Sequence, residues 1–322
     1  MHALPYTKKE GRAGFFMGSD DLHVVTGAFG YTGRYIARRL LAKGHAVRTL
    51  TGHPNRPDPF GGRVGVSPLA FDKPGELVQN LQGASVLYNT YWIRFAREDV
   101  TFETAIQNTG ILLRACEEAG VRRVVHISIS NPSDESPLPY FRGKATVERM
   151  LRGSRLSFAI LRPTVIFGAG DILINNIAWF LRRFPIFAMP ACRRSRLQPV
   201  YVDDLANLAV ETGAQKENTI LDTVGPETYS LEELVRLIRV KIESRALVVN
   251  LPTGAVRGLL KLVGLIVRDV VLTEDELSGL MSNVLVSHDA PTAPTRFSAW
   301  LEQNAGSLGI HYASELERHF RP

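Results

Sequence analysis

From residue 22 onward the chain switches back and forth between two hydrophobic periods. Runs of apolar and β-branched residues predict strands at 22–26, 46–51, 69–71, 85–89, 123–129 and 156–161. Between them, apolar residues three and four apart predict helices at 31–43, 74–81 and 101–119. In the first helix Ile36, Ala37, Leu40 and Leu41 share a face, Arg34, Arg38 and Arg39 fall elsewhere, and Gly44 is placed to end it. Strands alternating with helices predict an α/β fold on a parallel, doubly wound sheet. The Pro- and Gly-rich stretch 53–63 reads as a loop between the second and third strands.

Past residue 168 the rhythm loosens. A long insertion, 168–199, leads to the strand-like Pro199-Val200-Tyr201-Val202, a helix from Asp203 and a strand near 221–224. From 251 the pattern is mostly helical, with Pro291-Thr292-Ala293-Pro294 as a linker before a terminal helix. Residues 1–20 are polar, basic and aperiodic, as in a loose tail. The organisation expected is therefore a tail (1–20), a sheet domain (21–168) and a smaller, mostly helical substrate-side lobe (169–322) that returns strands to the sheet at 199–225.

The first strand runs into Thr26-Gly27-Ala28-Phe29-Gly30-Tyr31-Thr32-Gly33 and then into the first helix. Gly27 supplies a backbone angle closed to other residues, Gly30 lets the main chain approach a pyrophosphate, and Gly33 lets the helix sit close to the sheet. Free N–H groups at the helix start favour an anion there. Strand, turn and helix in this order predict a Rossmann-type dinucleotide site. Its cofactor contacts are expected at Gly27, Phe29, Gly30, Tyr31, Thr32 and Gly33, and at Asn89 and Thr90 where the 85–89 strand ends.

The end of the second strand bears on cofactor choice. It reads Leu50-Thr51-Gly52-His53-Pro54-Asn55-Arg56, without the acid that binds a ribose 2′-hydroxyl in NAD enzymes. Thr51, His53 and Arg56 leave room for a 2′-phosphate, so NADP is expected ahead of NAD. Asp72 is open to two readings, a bond to the adenine amine or the N-cap of the helix near Pro74.

Composition narrows the class. The 322 residues are 45% hydrophobic, enough for a large α/β domain and a smaller appended region. Two cysteines and no C-x-x-C or H-E-x-x-H spacing predict a reducing, metal-free protein. Cys192 precedes Arg193 and Arg194, but a lone surface cysteine is usually inert. The formal charge of +6 comes with dispersed arginines and no nucleic-acid module, so a small-molecule substrate is expected and nucleic acid is not. No apolar run reads as a signal peptide or a membrane span, which places the protein in the cytoplasm as an expectation. The apolar stretch 256–272 carries Arg257, Lys261 and Arg268; it is read as a helix packed on the core with snorkelling basic residues, with a peripheral membrane or protein contact as the rival. Nothing in the chain sets an oligomeric state.

Tyr140-Phe141-Arg142-Gly143-Lys144 opens a further helical stretch. Residues four apart share a face, so phenol and ammonium can point together, and the cation draws the phenol toward a working pKa. Tyr140 is then a candidate general acid/base, and Lys144 also a ligand of the cofactor ribose. Ser128 and Ser130 end the 123–129 strand, where a hydroxyl could hold a substrate carbonyl, and Asn108 could complete a proton relay.

Together these residues resemble the extended and atypical short-chain dehydrogenase/reductases, over 22 to about 229. The resemblance rests on Thr26 to Gly33 as glycine motif, on Ser130 (or Ser128), Tyr140 and Lys144 as triad, on Arg162-Pro163-Thr164-Val165-Ile166-Phe167-Gly168 and on Pro199 to Ala206. It implies that Pro163, Thr164 and Val165 flank the nicotinamide. Ser128-Ile129-Ser130-Asn131, Tyr140 to Lys144 and Leu272-Thr273-Glu274-Asp275 are similar to the branch holding the nucleotide-binding accessory subunit of respiratory complex I and its free-standing bacterial relatives. Only Asn131 to Pro139 separates serine from tyrosine, shorter than in extended epimerases. The leading expectation is an NADP-dependent oxidoreductase acting on a small carbonyl or enone; the alternatives are a cofactor-bound structural or regulatory subunit and an epimerase or dehydratase.

Overall fold

The computed structural model describes residues 21–191 and 195–319. The N-terminal tail and Cys192, Arg193 and Arg194 lie outside the described residues.

Five strands come first: β1 (Leu22–Thr26), β2 (Ala46–Thr51), β3 (Val64–Pro68), β4 (Ala84–Asn89) and β5 (Arg123–Ile127). With them run α1 (Tyr31–Ala42), α2 (Pro74–Leu81), α3 (Phe102–Glu118) and α4 (Pro139–Arg152). There follow β6 (Ser157–Pro163), β7 (Ile166–Phe167), α5 (Leu173–Arg183), β8 (Ile186–Pro190), β9 (Val200–Tyr201), α6 (Val202–Gly213) and β10 (Thr219–Thr223). The chain ends through α7 (Leu231–Lys241), β11 (Leu247–Leu251), α8 (Thr253–Val267), α9 (Glu274–Met281), α10 (Phe297–Asn304) and α11 (Glu315–His319).

The main sheet has seven strands in the order β10-β6-β5-β4-β1-β2-β3, all parallel. The order reverses between β1 and β4, which opens a crevice at their carboxyl ends. On one face Tyr35, Ile36 and Leu40 of α1 meet Leu205, Ala206 and Ala209 of α6 over Val25, Val86 and Val125. On the other, Leu77 and Leu81 of α2, Leu112 and Leu113 of α3 and Leu151 of α4 cover Val24, Leu87 and Val124. A third cluster, from Ile129 and Phe141 through Ile174 and Leu234 to Trp300, builds the lobe above the strand ends.

Three expectations change. The third strand is 64–68 and not 69–71: it is an edge strand with Val64 its one buried residue, so Gly65 and Pro68 are tolerated and the alternation is faint. The strand at 200–201 does not return to the main sheet; it pairs with β7, while β10 adds to the sheet beside β6. The insertion 168–199 holds α5 and β8, and β8 pairs in parallel with β11.

Helix α8 does not pack as a core helix with snorkelling lysine and arginine. Only Val256 is buried, whereas Leu259, Leu262, Leu265 and Ile266 face outward. Among the described residues no helix is long and apolar enough to cross a membrane.

Candidate nucleotide site

The glycine turn is held from three directions. Gly27 takes φ +68°, open to glycine at little cost, and its N–H donates to the Leu50 carbonyl at 2.8 Å. The Ala28 N–H donates to the Thr49 hydroxyl at 2.9 Å. A Cβ on Gly33 would lie 2.3 Å from the Gly27 oxygen, so this position fixes how closely α1 rides on the turn. A Cβ on Gly30, the N-cap of α1, would meet the same oxygen at 3.1 Å. No side chain caps α1, which leaves the N–H groups of its first turn for an anion. The turn has the form of a pyrophosphate cradle.

Thr26 ties this turn to the end of β4. Its hydroxyl accepts from the Thr90 and Tyr91 N–H groups at 2.7 and 3.0 Å and donates to Asn89 at 3.2 Å. Thr90 in turn donates to the Thr26 carbonyl at 2.5 Å. Asn89 meets Nδ1 of His126, whose deep burial and nearby Lys144 hold the imidazole neutral. Asn108 donates to the Tyr91 hydroxyl at 3.0 Å. At the end of β2, Thr51 accepts from the His53 N–H at 3.0 Å, and the Arg56 guanidinium donates to the Arg318 carbonyl on α11. Asp72 is exposed and does not cap α2, whose N-cap is Lys73; the capping reading is removed.

Lys144 is buried, and its ammonium donates to the Ile127 carbonyl at 2.8 Å. It also lies 4.7 Å from the centroid of the Trp92 ring. Burial lowers its pKa to about 7 against the opposing pull of Glu148. The Tyr140 ring stands edge-on to Trp92 and Phe102 at 6.0 and 6.1 Å, and burial holds its phenol well above the ordinary range, the reverse of the activation expected from Lys144. Gly143 makes room for the indole, since a Cβ there would meet it at 2.9 Å.

The serines are committed elsewhere. Ser128 donates to Glu148 at 2.5 Å, in a buried group that Arg162 completes. Ser130 donates to the Val284 carbonyl at 2.8 Å. In the 163–165 segment the Thr164 hydroxyl donates to the Gln198 carbonyl, while the Pro163 carbonyl accepts from the Ser130 N–H and that of Val165 from the Val200 N–H. Phe29 is a core residue against Phe60.

A family model described as NAD(P)H-binding matches residues 27–169. The chain is 24% identical over 302 residues to the mitochondrial NADH dehydrogenase [ubiquinone] 1 alpha subcomplex subunit 9 of Arabidopsis thaliana, covering 88% of this chain and 75% of that one. The Mus musculus protein of the same name is 27% identical over 307 residues, covering 90% and 78%. Among solved structures, an NADPH-dependent quinone oxidoreductase of Escherichia coli complexed with NADPH superposes with a TM-score of 0.70 at 19% identity, covering 88% and 98%. The chain carries an NAD(P)H-binding domain over residues 27–169 and is similar over most of its length to these complex I subunits.

In this NAD(P)H-binding chain several site residues carried no recognised signal. Trp92 and Arg94 lie two and four residues past Thr90, and that position after a strand end beside the switch point could have flagged them. Arg94 pairs with Glu276 of α9 and with Glu315 of α11, which pins the Trp92 loop to the C-terminal helices. Around Tyr31, Arg318 lies 5.9 Å from the ring, and Asp171 is buried. Burial raises the Asp171 pKa to about 7, against backbone N–H groups that lower it. The Tyr31 hydroxyl and Asp171 Oδ2 are both buried without a hydrogen-bond partner. These groups come from sequence-distant segments and converge only in the fold.

Proposed function

We propose that the protein holds NADP(H) as a tightly bound, largely structural ligand and does not reduce a carbonyl through a serine–tyrosine–lysine relay. The observation that carries this reading is the commitment of both serine hydroxyls, to Glu148 and to the Val284 carbonyl. The phenol held protonated by burial and the ammonium covered by an indole point the same way. The residues available do fit the cofactor: the uncapped start of α1 for the pyrophosphate, His53 and Arg56 for a 2′-phosphate, and Lys144 for the ribose once Trp92 gives way. When bound, the nucleotide supplies a hydride-carrying nicotinamide. The similarity to complex I subunits supports a subunit-like role, and the outward leucines of α8 offer a face for peripheral docking.

The test is to denature the purified protein, identify any released nucleotide, and assay hydride transfer against a panel of carbonyls and quinones. Retained NADP(H), no turnover and unchanged affinity in Tyr140→Phe are expected. Turnover that falls on the order of 10²- to 10⁴-fold in Tyr140→Phe would instate the reductase instead.

A further inference from the structure

At the end of β1 away from the glycine turn, three potential metal ligands from separate pieces of chain converge. His23 is the second residue of β1, His45 precedes β2, and Asp21 precedes β1. One ligand atom from each lies within 4.8 Å of the others. The three border a cavity of about 250 Å³.

His23 gives the cluster its direction. Its side chain is more than nine-tenths buried, and Nε2 has no hydrogen-bond partner. The other ring nitrogen, Nδ1, lies 3.2 Å from the Tyr88 hydroxyl. With the proton on Nδ1 donated to that oxygen, Nε2 presents a lone pair toward Asp21, whose Oδ2 is 3.6 Å away. A hydrogen bond from the far ring nitrogen to a neighbouring group is how proteins orient metal-bound imidazoles. Tetrahedral zinc with bonds of about 2.0–2.2 Å separates its ligand atoms by roughly 3.3–3.6 Å, which the Asp21–His23 spacing meets. His45 packs its ring 4.2 Å from that of His23.

We propose that Asp21, His23 and His45 form a zinc site at the foot of the sheet, with a fourth position open to water or a small anion. Two imidazoles and one carboxylate suit zinc over magnesium or calcium, which prefer oxygen ligands. Lys43 and Arg122 line the same cavity, oppose a bare dication and favour an anionic fourth ligand. The site is separate from the nucleotide crevice, and its ligands share no short spacing motif.

The full chain is titrated with zinc chloride by calorimetry, and cobalt(II) is followed by its visible absorption. Binding of one equivalent is expected, with His45→Ala and Asp21→Asn each weakening it by about tenfold or more. Both positions are only partly buried, so the variants should melt like the parent without zinc; His23→Ala is avoided because it empties a buried position. Absence of saturable zinc binding in the parent, or binding that survives either substitution, overturns the site.

Discussion

The Trp92 indole lies 4.7 Å from the Lys144 ammonium, which also donates to the Ile127 carbonyl at 2.8 Å. Such a cation–π contact is worth about 0.5–2 kcal/mol, small enough for a ribose hydroxyl and its own hydrogen bonds to displace. Nucleotide binding should therefore move the indole. Oxidised NADP is expected to change the tryptophan fluorescence of the parent and not of Trp92→Phe, with affinity kept within a few-fold. Trp179 and Trp300 belong to aromatic clusters in the lobe and serve as the constant background. A fluorescence change that persists in Trp92→Phe would rule out this movement.

The glycine turn separates binding from folding. At Gly33 an added Cβ would overlap the backbone of Gly27, which cannot rotate away, so Gly33→Ala should cost about 3 kcal/mol, the upper end of overpacking effects. At Gly30 the contact is 3.1 Å and a few tenths of an ångström of give suffices. Gly30→Ala should melt near the parent yet bind nucleotide at least about tenfold more weakly, because the methyl stands where the pyrophosphate approaches. Calorimetric titration beside thermal melts distinguishes the two; equal melting of both variants would count against the packing argument.

How far the chain could be read without its structure follows the range of the interactions. The β1–α1 turn is a local affair of glycines, a strand and an amphipathic helix, and it stands where the pattern puts it. The 64–68 strand escapes because an exposed edge needs no alternation. The pairing of β8 with β11 joins segments far apart in the chain, and neither carries a local sign of it. At the site, Tyr140 and Lys144 could be placed on one helix by their spacing. That Trp92 would lie against Lys144, or that Val284 would take the Ser130 proton, depends on tertiary packing.

Asp171 gives a signed pH dependence. Burial raises its folded pKa to about 7, from 3.8. A raised acid binds more protons folded than unfolded between those values, so its contribution is fully present at low pH and is lost as pH rises through 7. Asp171→Asn keeps an oxygen for the Ile174 N–H, now accepted at 2.7 Å, and removes the titration. Between pH 5 and 8 the variant should gain up to about 2–3 kcal/mol relative to the parent. Denaturant melts at the two pH values check this; parallel shifts in both proteins would mean that Asp171 does not titrate in this window.

At the end of β2, which the proposed function makes the seat of cofactor choice, Thr51 accepts from the His53 N–H and Arg56 donates to the Arg318 carbonyl. A carboxylate at 51 preserves an acceptor for His53 while repelling a 2′-phosphate and binding a 2′-hydroxyl. Thr51→Asp should therefore fold normally and swing preference toward NAD. Arg56→Ala should weaken NADP by about tenfold, the loss of roughly 1.4 kcal/mol of charge-assisted bonding, and leave NAD nearly unchanged. Both shifts are read as ratios of dissociation constants for the two nucleotides in the same buffer, which cancels any general loss of site geometry. If the parent already binds NAD several-fold tighter than NADP, the missing acid at 51 does not set the choice. Arg56 would then serve only to tether the C-terminal helix through Arg318, and Arg56→Ala would lower the melting temperature without altering the ratio.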